Sequence, residues 1–336
     1  MSTPPIVSTL RARIDQVLSD LTPADSNFAL LDFPNHGNLG DSAIYVGEAE
    51  YLRRRALQPA YVACHDNCSW EQMDELIAGG PIFIHGGGNF GDLWPWFQHF
   101  REEVMARYPG RPIIQFPQTI YYDTQESIDR TARAIEKQGA FTLLTRDQRS
   151  FELASKSFQC DVRLCPDMAF QIDCSRQRTP RRELLLHLRE DQEAAGDYDT
   201  GSLIDNAEVI RADWPDEHRS FVLGTNILSL PSIIPELLSN GAMGARAVKW
   251  AERAQARFQK AINLLQENRF VITDRMHGHI LCVLLNLPHC VLDNSYGKTS
   301  GFMETWGTGS GSARLASDVA GAVEVLTEDF GLRVSQ

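Results

Sequence analysis

Short apolar runs of strand length, each followed by a polar or glycine-bearing loop and then a helix-length segment, narrow the folds open to this chain more than any other feature. FALLDF (28–33), PIFIH (81–85), PIIQFP (112–117), FTLLTR (141–146), ELLLHL (183–188), RFVITD (269–274) and PHCVLD (288–293) are apolar along most of their length rather than alternating. A strand apolar on both faces must be covered on both faces, and strands alternating with helices achieve that in a parallel sheet. Helical spacing is present over 9–21 (Leu10, Ile14, Val17, Leu18, Leu21), 42–56, ESIDRTARAIEKQ, RSFELASKS, 245–268 and HGHILCVLLN. A chain of 336 residues is long for one domain, and apolar content drops around CSRQRTPRRE (174–183), where Pro180 interrupts. The expected architecture is α/β: residues 1–178 and 179–336 as two Rossmann-like domains facing across a cleft. Ligands in such sheets bind outside the carboxyl ends of the strands, and that is where the notable loops fall.

Composition excludes several classes. A formal net charge of -12 argues against nucleic acid, whose phosphates need a Lys/Arg surplus. Seven cysteines, scattered and odd in number, do not make a disulfide framework. Cys64 and Cys68 resemble half a zinc site with no second half at useful spacing, so buried thiols are expected and no metal. The first residues, MSTPPIVSTLRARIDQVLSDL, lack the apolar core of a signal peptide, which points to the cytoplasm. FVLGTNILSLPSIIPELL (221–238) is broken by Pro231 and Pro235, so it reads as a loop with a short helix, or a membrane-touching loop, rather than a span.

Gly86, Gly88 and Gly91 satisfy GxGxxG directly after a strand. Asp92 follows where a pyrophosphate would sit, and Pro95 interrupts the next helix, so nicotinamide binding is disfavoured. NHGNLGD (35–41) and GGGNFGD (86–92) share a build, small residues ending in a carboxylate, Asp41 or Asp92. Carboxylates accept hydrogen bonds from sugar hydroxyls and can take a proton from one; Trp94, Trp96 and Phe97 alongside can stack on a pyranose. The plainer reading is that both aspartates cap helices.

TDRMHGH (273–279), followed by Lys298 in NSYGKTSGF, is the strongest constellation. A strand delivers Asp274, Arg275 and His277 to a helix N-terminus, whose N–H groups favour an anion. Arg275 can grip carboxylate or phosphate bidentately, Lys298 is a compact cation, and His277 titrates near neutrality and can donate a proton. His279, two residues on, points elsewhere. Arg146 at the end of FTLLT can face an anion or pair with Asp147, which can cap the following helix. Asp167 in CPDMAF (165–170) suits capping as well as ligand contact. Asp197-Tyr198-Asp199 looks like a DxD motif but has no strand before it and reads as solvated loop.

Together NHGNLGDSAI, GGGNFGD, Arg146-Asp147 with Ser150, CPDMAF, and TDRMHGH with its downstream YGK resemble the polysaccharide pyruvyl transferase family, from about Asn35 to Lys298. The resemblance implies a GT-B-like pair of Rossmann-like domains, an acceptor side in the first and a donor side in the second, whose last helix can pack back on the first. It implies phosphoenolpyruvate as donor substrate, without a cofactor, held by Arg275, Lys298 and Arg146, with His277 as acid. The acceptor is a hexose of an exopolysaccharide, capsule or cell-wall polymer, free or lipid-linked, with Asp41 or Asp92 positioning its hydroxyls and serving as catalytic base and Asn38, Asn89, Trp94 and Trp96 contacting the sugar. The enzyme would work in the cytoplasm or at the inner face of the plasma membrane, touching it peripherally at most. The stretch from 189 to 245 carries none of the family's signals. A nucleotide-sugar glycosyltransferase and a nonenzymatic sugar-binding protein are the alternatives.

Overall fold

The computed structural model describes residues 3–22, 26–190, 198–215, 240–293 and 297–333. The window 221–238 and Asp197 lie outside them. The chain divides into two compact units: Ala12–Gln171 with Glu217–Ala256, and Met1–Arg11 with Ile172–Asp216 and Arg257–Gln336.

In the first of these units the strands are β1 (Ala29–Leu31), β2 (Tyr61–Ala63), β3 (Ile82–Ile84), β4 (Gly87–Gly91), β5 (Ile113–Tyr121), β6 (Phe141–Thr145) and β7 (Asp161–Leu164). They form one seven-stranded sheet in the order β2-β1-β3-β5-β6-β7, with β4 paired to β5, and every pairing is parallel. β1 and β3 are buried along their whole length, as central strands covered on both faces must be. Helices α1 (Pro5–Leu18), α2 (Leu39–Arg54), α3 (Trp70–Ile77), α4 (Pro95–Arg107), α5 (Gln125–Gln138) and α6 (Gln148–Ser157) connect or flank them. Their starts are written locally: Asn38, Thr124 and Asp147 cap α2, α5 and α6 with side-chain oxygens, and Pro95 opens α4.

The other unit carries β8 (Arg182–His187), β9 (Val209–Ala212), β10 (Asn268–Thr273), β11 (His289–Leu292) and β12 (Ala313–Ala316), a parallel sheet in the order β12-β11-β10-β8-β9. α7 (Asn240–Gln266), whose residues up to Ala256 belong to the first unit, is followed by α8 (Met276–Leu284), α9 (Lys298–Trp306) and α10 (Val319–Phe330). Both sheets therefore reverse strand order once, between β1 and β3 and between β8 and β10. Crevices at such reversals, at the carboxyl ends of the strands, are where α/β sheets take ligands.

Two differences from the sequence reading are physical. GGGNFGD was expected to be a loop, but Gly87–Gly91 is strand β4, laid along the second half of β5 after the register shifts around Pro117. Gly91 has φ +107°, and a Cβ there would stand 1.9 Å from the Tyr121 carbonyl oxygen. The close approach that the glycines signal is therefore to β5. Secondly, β2, β7, β9 and β12 did not stand out in the sequence; all four are sheet edges, and three of them carry an arginine. Edge strands tolerate short length and charge, which erases the apolar run.

Candidate active site

β10 ends in Thr273, and Asp274, Arg275 and His277 follow at the start of α8 with Arg275 as N-cap. The Thr273 hydroxyl accepts from Arg275 N at 3.1 Å and lies 2.9 Å from Nδ1 of His187, the last residue of β8. The tips of β8 and β10 are thereby tied to the helix start. Gly278 is what lets them approach, since a Cβ there would be 2.4 Å from Thr273 Oγ1 and 2.8 Å from His187 Nδ1. His187 is wholly buried against the Trp214 ring at 4.1 Å, and burial with the nearby Arg275 charge pushes its imidazole down to about 3.

Arg275 is gripped by Asp213: Nη2 donates to Oδ2 at 2.6 Å and Nε to Oδ1. Burial would raise the Asp213 carboxyl, but the hydrogen bond and charge of Arg275 outweigh it and hold the carboxyl below its ordinary range. Asp213 follows edge strand β9, inside the stretch where the sequence offered no signal. Asp274 accepts from Arg189 N at 3.0 and 3.2 Å, and burial pushes its carboxyl up to about 6 despite those bonds and the neighbouring arginines. His277 is buried one residue further into α8. Lys298 is the first residue of α9, and its side chain lies outside the described residues.

His279 points elsewhere, as its spacing implied. Its Nδ1 is 2.8 Å from His289 Nε2 and its Nε2 is 2.8 Å from Thr308 Oγ1, while His289 Nδ1 donates to the Leu287 carbonyl at 2.8 Å. That carbonyl fixes every proton in the chain: His289 accepts from His279, which accepts from Thr308. Both imidazoles stay neutral, His289 pushed down to about 4 by burial.

In the seven-stranded unit, Asn38 and Asp41 come together at the start of α2. Asn38 Oδ1 accepts from Gly40 N at 3.0 Å, its Nδ2 donates to Asp41 Oδ2 at 2.9 Å, and His36 Nε2 is 3.6 Å from the same oxygen. The loop before it is clamped by α7, through the Phe33–Trp250 stack at 4.5 Å and Arg253 Nη1 donating to Asn35 Oδ1. Asp92 accepts from Asp123 N at 2.9 Å rather than capping α4, whose N-cap is Trp94. Asn89 Oδ1 accepts from Arg101 Nη2 at 2.9 Å and Gln118 Nε2 at 3.0 Å. Trp94 and Trp96 meet edge to face at 5.4 Å, and Trp96 is 49% exposed.

Arg146 pairs with neither Asp147 nor solvent. It is buried, with Nη1 donating to Asp167 Oδ2 at 2.7 Å and Nε to Thr119 Oγ1 at 2.9 Å. Asp147 caps α6 through Ser150 N at 2.8 Å, and Asp167 Oδ1 accepts from Ala169 N at 2.9 Å. Tyr198 and Asp199 of the DxD-like triplet lie in irregular backbone. Among the described residues no cluster of His, Cys, Asp or Glu could hold a metal ion, and no helix is long and apolar enough to cross a membrane.

Comparison with known proteins bears on what these two strand-end groups belong to. The model of the polysaccharide pyruvyl transferase family matches residues 38–296, a span that contains Asn38, Asp41, Arg275 and His277, with His36 and Lys298 just outside it. The chain is 31% identical over 308 residues to the putative pyruvyl transferase EpsO of Bacillus subtilis (strain 168), covering 89% of this chain and 91% of that one. It is 32% identical over 317 residues to pyruvyl transferase 1 of Schizosaccharomyces pombe, covering 89% and 75%. A crystal structure of an uncharacterized protein from Klebsiella pneumoniae subsp. pneumoniae NTUH-K2044 superposes with a TM-score of 0.56 at 19% identity, over 88% of this chain and 93% of that one, a likeness of fold. The chain belongs to the polysaccharide pyruvyl transferase family and is a pyruvyltransferase enzyme.

Proposed function

We propose that this enzyme moves the pyruvate unit of phosphoenolpyruvate onto two hydroxyls of one hexose, in an exopolysaccharide, capsule or cell-wall polymer or its lipid-linked precursor, as a ketal. The observation that carries the reading is the head of α8: an arginine N-cap and a buried histidine at a helix N-terminus, at the strand-order reversal of the five-stranded sheet. Oriented N–H groups and a guanidinium suit a small, multiply charged anion. In this reading Arg275 and Lys298 hold the donor, Arg146 keeps its buried pair with Asp167, and Asn38, Asn89, Trp94 and Trp96 hold the sugar.

His277 gives a proton to the donor's methylene carbon, making the adjacent carbon electrophilic. One sugar hydroxyl bonds to that carbon and loses its proton; the carbon–oxygen bond to phosphate then breaks, and the second hydroxyl closes the ketal and loses its own. One proton has gone to carbon, two have come from hydroxyls, and phosphate departs with the bridging oxygen. Asp41 and Asp92 position the hydroxyls. Fixed cations neutralise the donor, so the chemistry requires no cofactor. The work takes place in the cytoplasm or at the inner membrane face.

Phosphate release from phosphoenolpyruvate with a panel of methyl hexopyranosides tests this. His277→Ala is expected to lose turnover by at least 100-fold, in the range of general acid catalysis, while retaining donor binding. Thermal stabilisation by a UDP-hexose and not by phosphoenolpyruvate would make the enzyme a different transferase.

A further inference from the structure

Three neighbouring strand tips in the seven-stranded sheet bear polar side chains to which the roles above give no work. His65 follows β2, Asp32 follows β1 and His85 follows β3 directly. Asp32 and His85 thus stand on either side of the reversal between β1 and β3, the counterpart of the position that the Arg275 group holds in the other sheet.

Asp32 is 1% exposed, and neither carboxylate oxygen has a hydrogen-bond partner among the described residues. His65 Nδ1, at 3.9 Å from Oδ1, is too far to be one. The Asp32 backbone is left-handed, φ +65°, a strained conformation for a side-chain-bearing residue. Arg101, also wholly buried, is held by the amide oxygens of Gln115, Gln98 and Asn89 and leaves that carboxylate unbonded; burial pushes the Asp32 carboxyl above its ordinary range, against the pull of the Arg101, His85 and His65 charges. An ionised carboxylate buried without donors is costly and persists only where something else is gained.

His85 is arranged differently. Its Nδ1 is 2.9 Å from Glu48 Oε2, and Glu48 Oε1 accepts from Gly86 N at 2.9 Å. A carboxylate only accepts, so Nδ1 carries the proton and Nε2 presents a lone pair. Nε2 is buried and has no hydrogen-bond partner among the described residues. Burial would lower the imidazole, but the Glu48 charge and hydrogen bond raise it, with Asp41 and Asp32 adding to the effect. Asp41, partly exposed, lies nearer the surface, its Oδ1 3.8 Å from where a Cβ on Gly87 would stand. Phe97 forms an apolar wall 4.9 Å from His65 and 6.0 Å from His36.

One carboxylate lacking donors and one imidazole nitrogen lacking a proton are what a pair of neighbouring hydroxyls supplies. We infer that Asp32 and His85 form the hydroxyl-handling centre of the acceptor site, one sugar hydroxyl donating to Asp32 and its neighbour giving its proton to His85 Nε2, with Glu48 as the positioning residue behind His85. The inference rests on the proposed pyruvyl transfer and names the atom that receives the proton when the sugar oxygen bonds to the donor carbon. Asp41 then binds the sugar nearer the opening, and His65, 3.9 Å from Asp32 and 30% exposed, is the side chain that turns aside to admit it.

Saturation-transfer NMR with methyl hexopyranosides, run beside acceptor-dependent phosphate release from phosphoenolpyruvate, separates the inference from the reading beneath it. Asp32→Asn is expected to keep or raise Tm, because it removes a buried charge. It should also cut the saccharide signal and turnover at least 100-fold and leave KM for phosphoenolpyruvate within twofold. His85→Gln is expected to lose 100-fold or more in turnover. Glu48→Gln keeps saccharide binding and shifts the acid limb of kcat to lower pH, since His85 works deprotonated and loses the charge that raises its pKa. A wild type that releases no phosphate sinks pyruvyl transfer while the NMR comparison still judges the site. Undiminished saccharide binding in Asp32→Asn, undiminished turnover in His85→Gln, or no saccharide binding by the wild type would each overturn the inference.

Discussion

Asp274→Asn should stabilise this enzyme at neutral pH, by an amount that the surroundings of Asp274 set. Its carboxyl is 2% exposed and pushed up to about 6, against 3.8 when unperturbed, with burial as the cause. Between those two values the folded chain binds a proton that the unfolded chain has released, so stability falls as pH rises through the window and the penalty is complete above about 6. At 1.36 kcal/mol per tenfold in proton affinity the penalty reaches roughly 3 kcal/mol. Asparagine keeps an oxygen to accept from Arg189 N, now at 3.0 Å, and carries no charge. Its Tm at pH 7.5 should exceed the wild-type value by up to roughly 10 °C, taking ~2–4 °C per kcal/mol for a unit of this size. The difference should shrink to nothing below about pH 4, where both side chains are neutral. Differential scanning fluorimetry from pH 4 to 8 measures it. A variant less stable at pH 7.5, or an offset that does not change with pH, would show that the Asp274 carboxylate is well solvated or paired when folded, and the reasoning would fail.

Asp213→Ala removes both bonds to the Arg275 guanidinium and leaves a largely buried cation without its carboxylate. A stability loss of about 2 kcal/mol and a tenfold or greater rise in KM for phosphoenolpyruvate are expected, measured by thermal shift and steady-state kinetics. Gly278→Ala ought to gain about 1 kcal/mol of helix propensity, but its Cβ would meet Thr273 and His187, so Tm is expected to fall. A rise in Tm would mean that the tips of β8 and β10 are free to part.

The central strands were legible because burial on both faces writes a continuous apolar run, as in PIFIH and RFVITD, observed as Ile82–Ile84 and Asn268–Thr273. Helix α6 was announced by its Asp147 cap, whereas α2 starts at Leu39 rather than Ser42, capped by Asn38, with the expected cap Asp41 inside its first turn. The head of α8 was legible because strand, arginine and histidine are contiguous in the chain. Asp213 was not: it follows a four-residue edge strand in a polar stretch, and its partner Arg275 is 62 positions away. Asp32 had a faint signal, a carboxylate closing the apolar run FALLDF, but only its lack of a hydrogen-bond partner among the described residues separates it from an ordinary strand-end aspartate.

Sequence alone therefore determined the parallel α/β character, the Asp147 cap of α6 and the family, because periodicity, local capping and motif order are properties of residues close together in the chain. Tertiary structure decided which charges are matched by hydrogen bonds: Arg146 with Asp167, Arg275 with Asp213, Glu48 with His85, and Asp32 with none among the described residues. Pairing depends on which strand tips the sheet order brings side by side, and β2-β1-β3 and β9-β8-β10 are adjacencies set by packing between segments that local sequence does not encode.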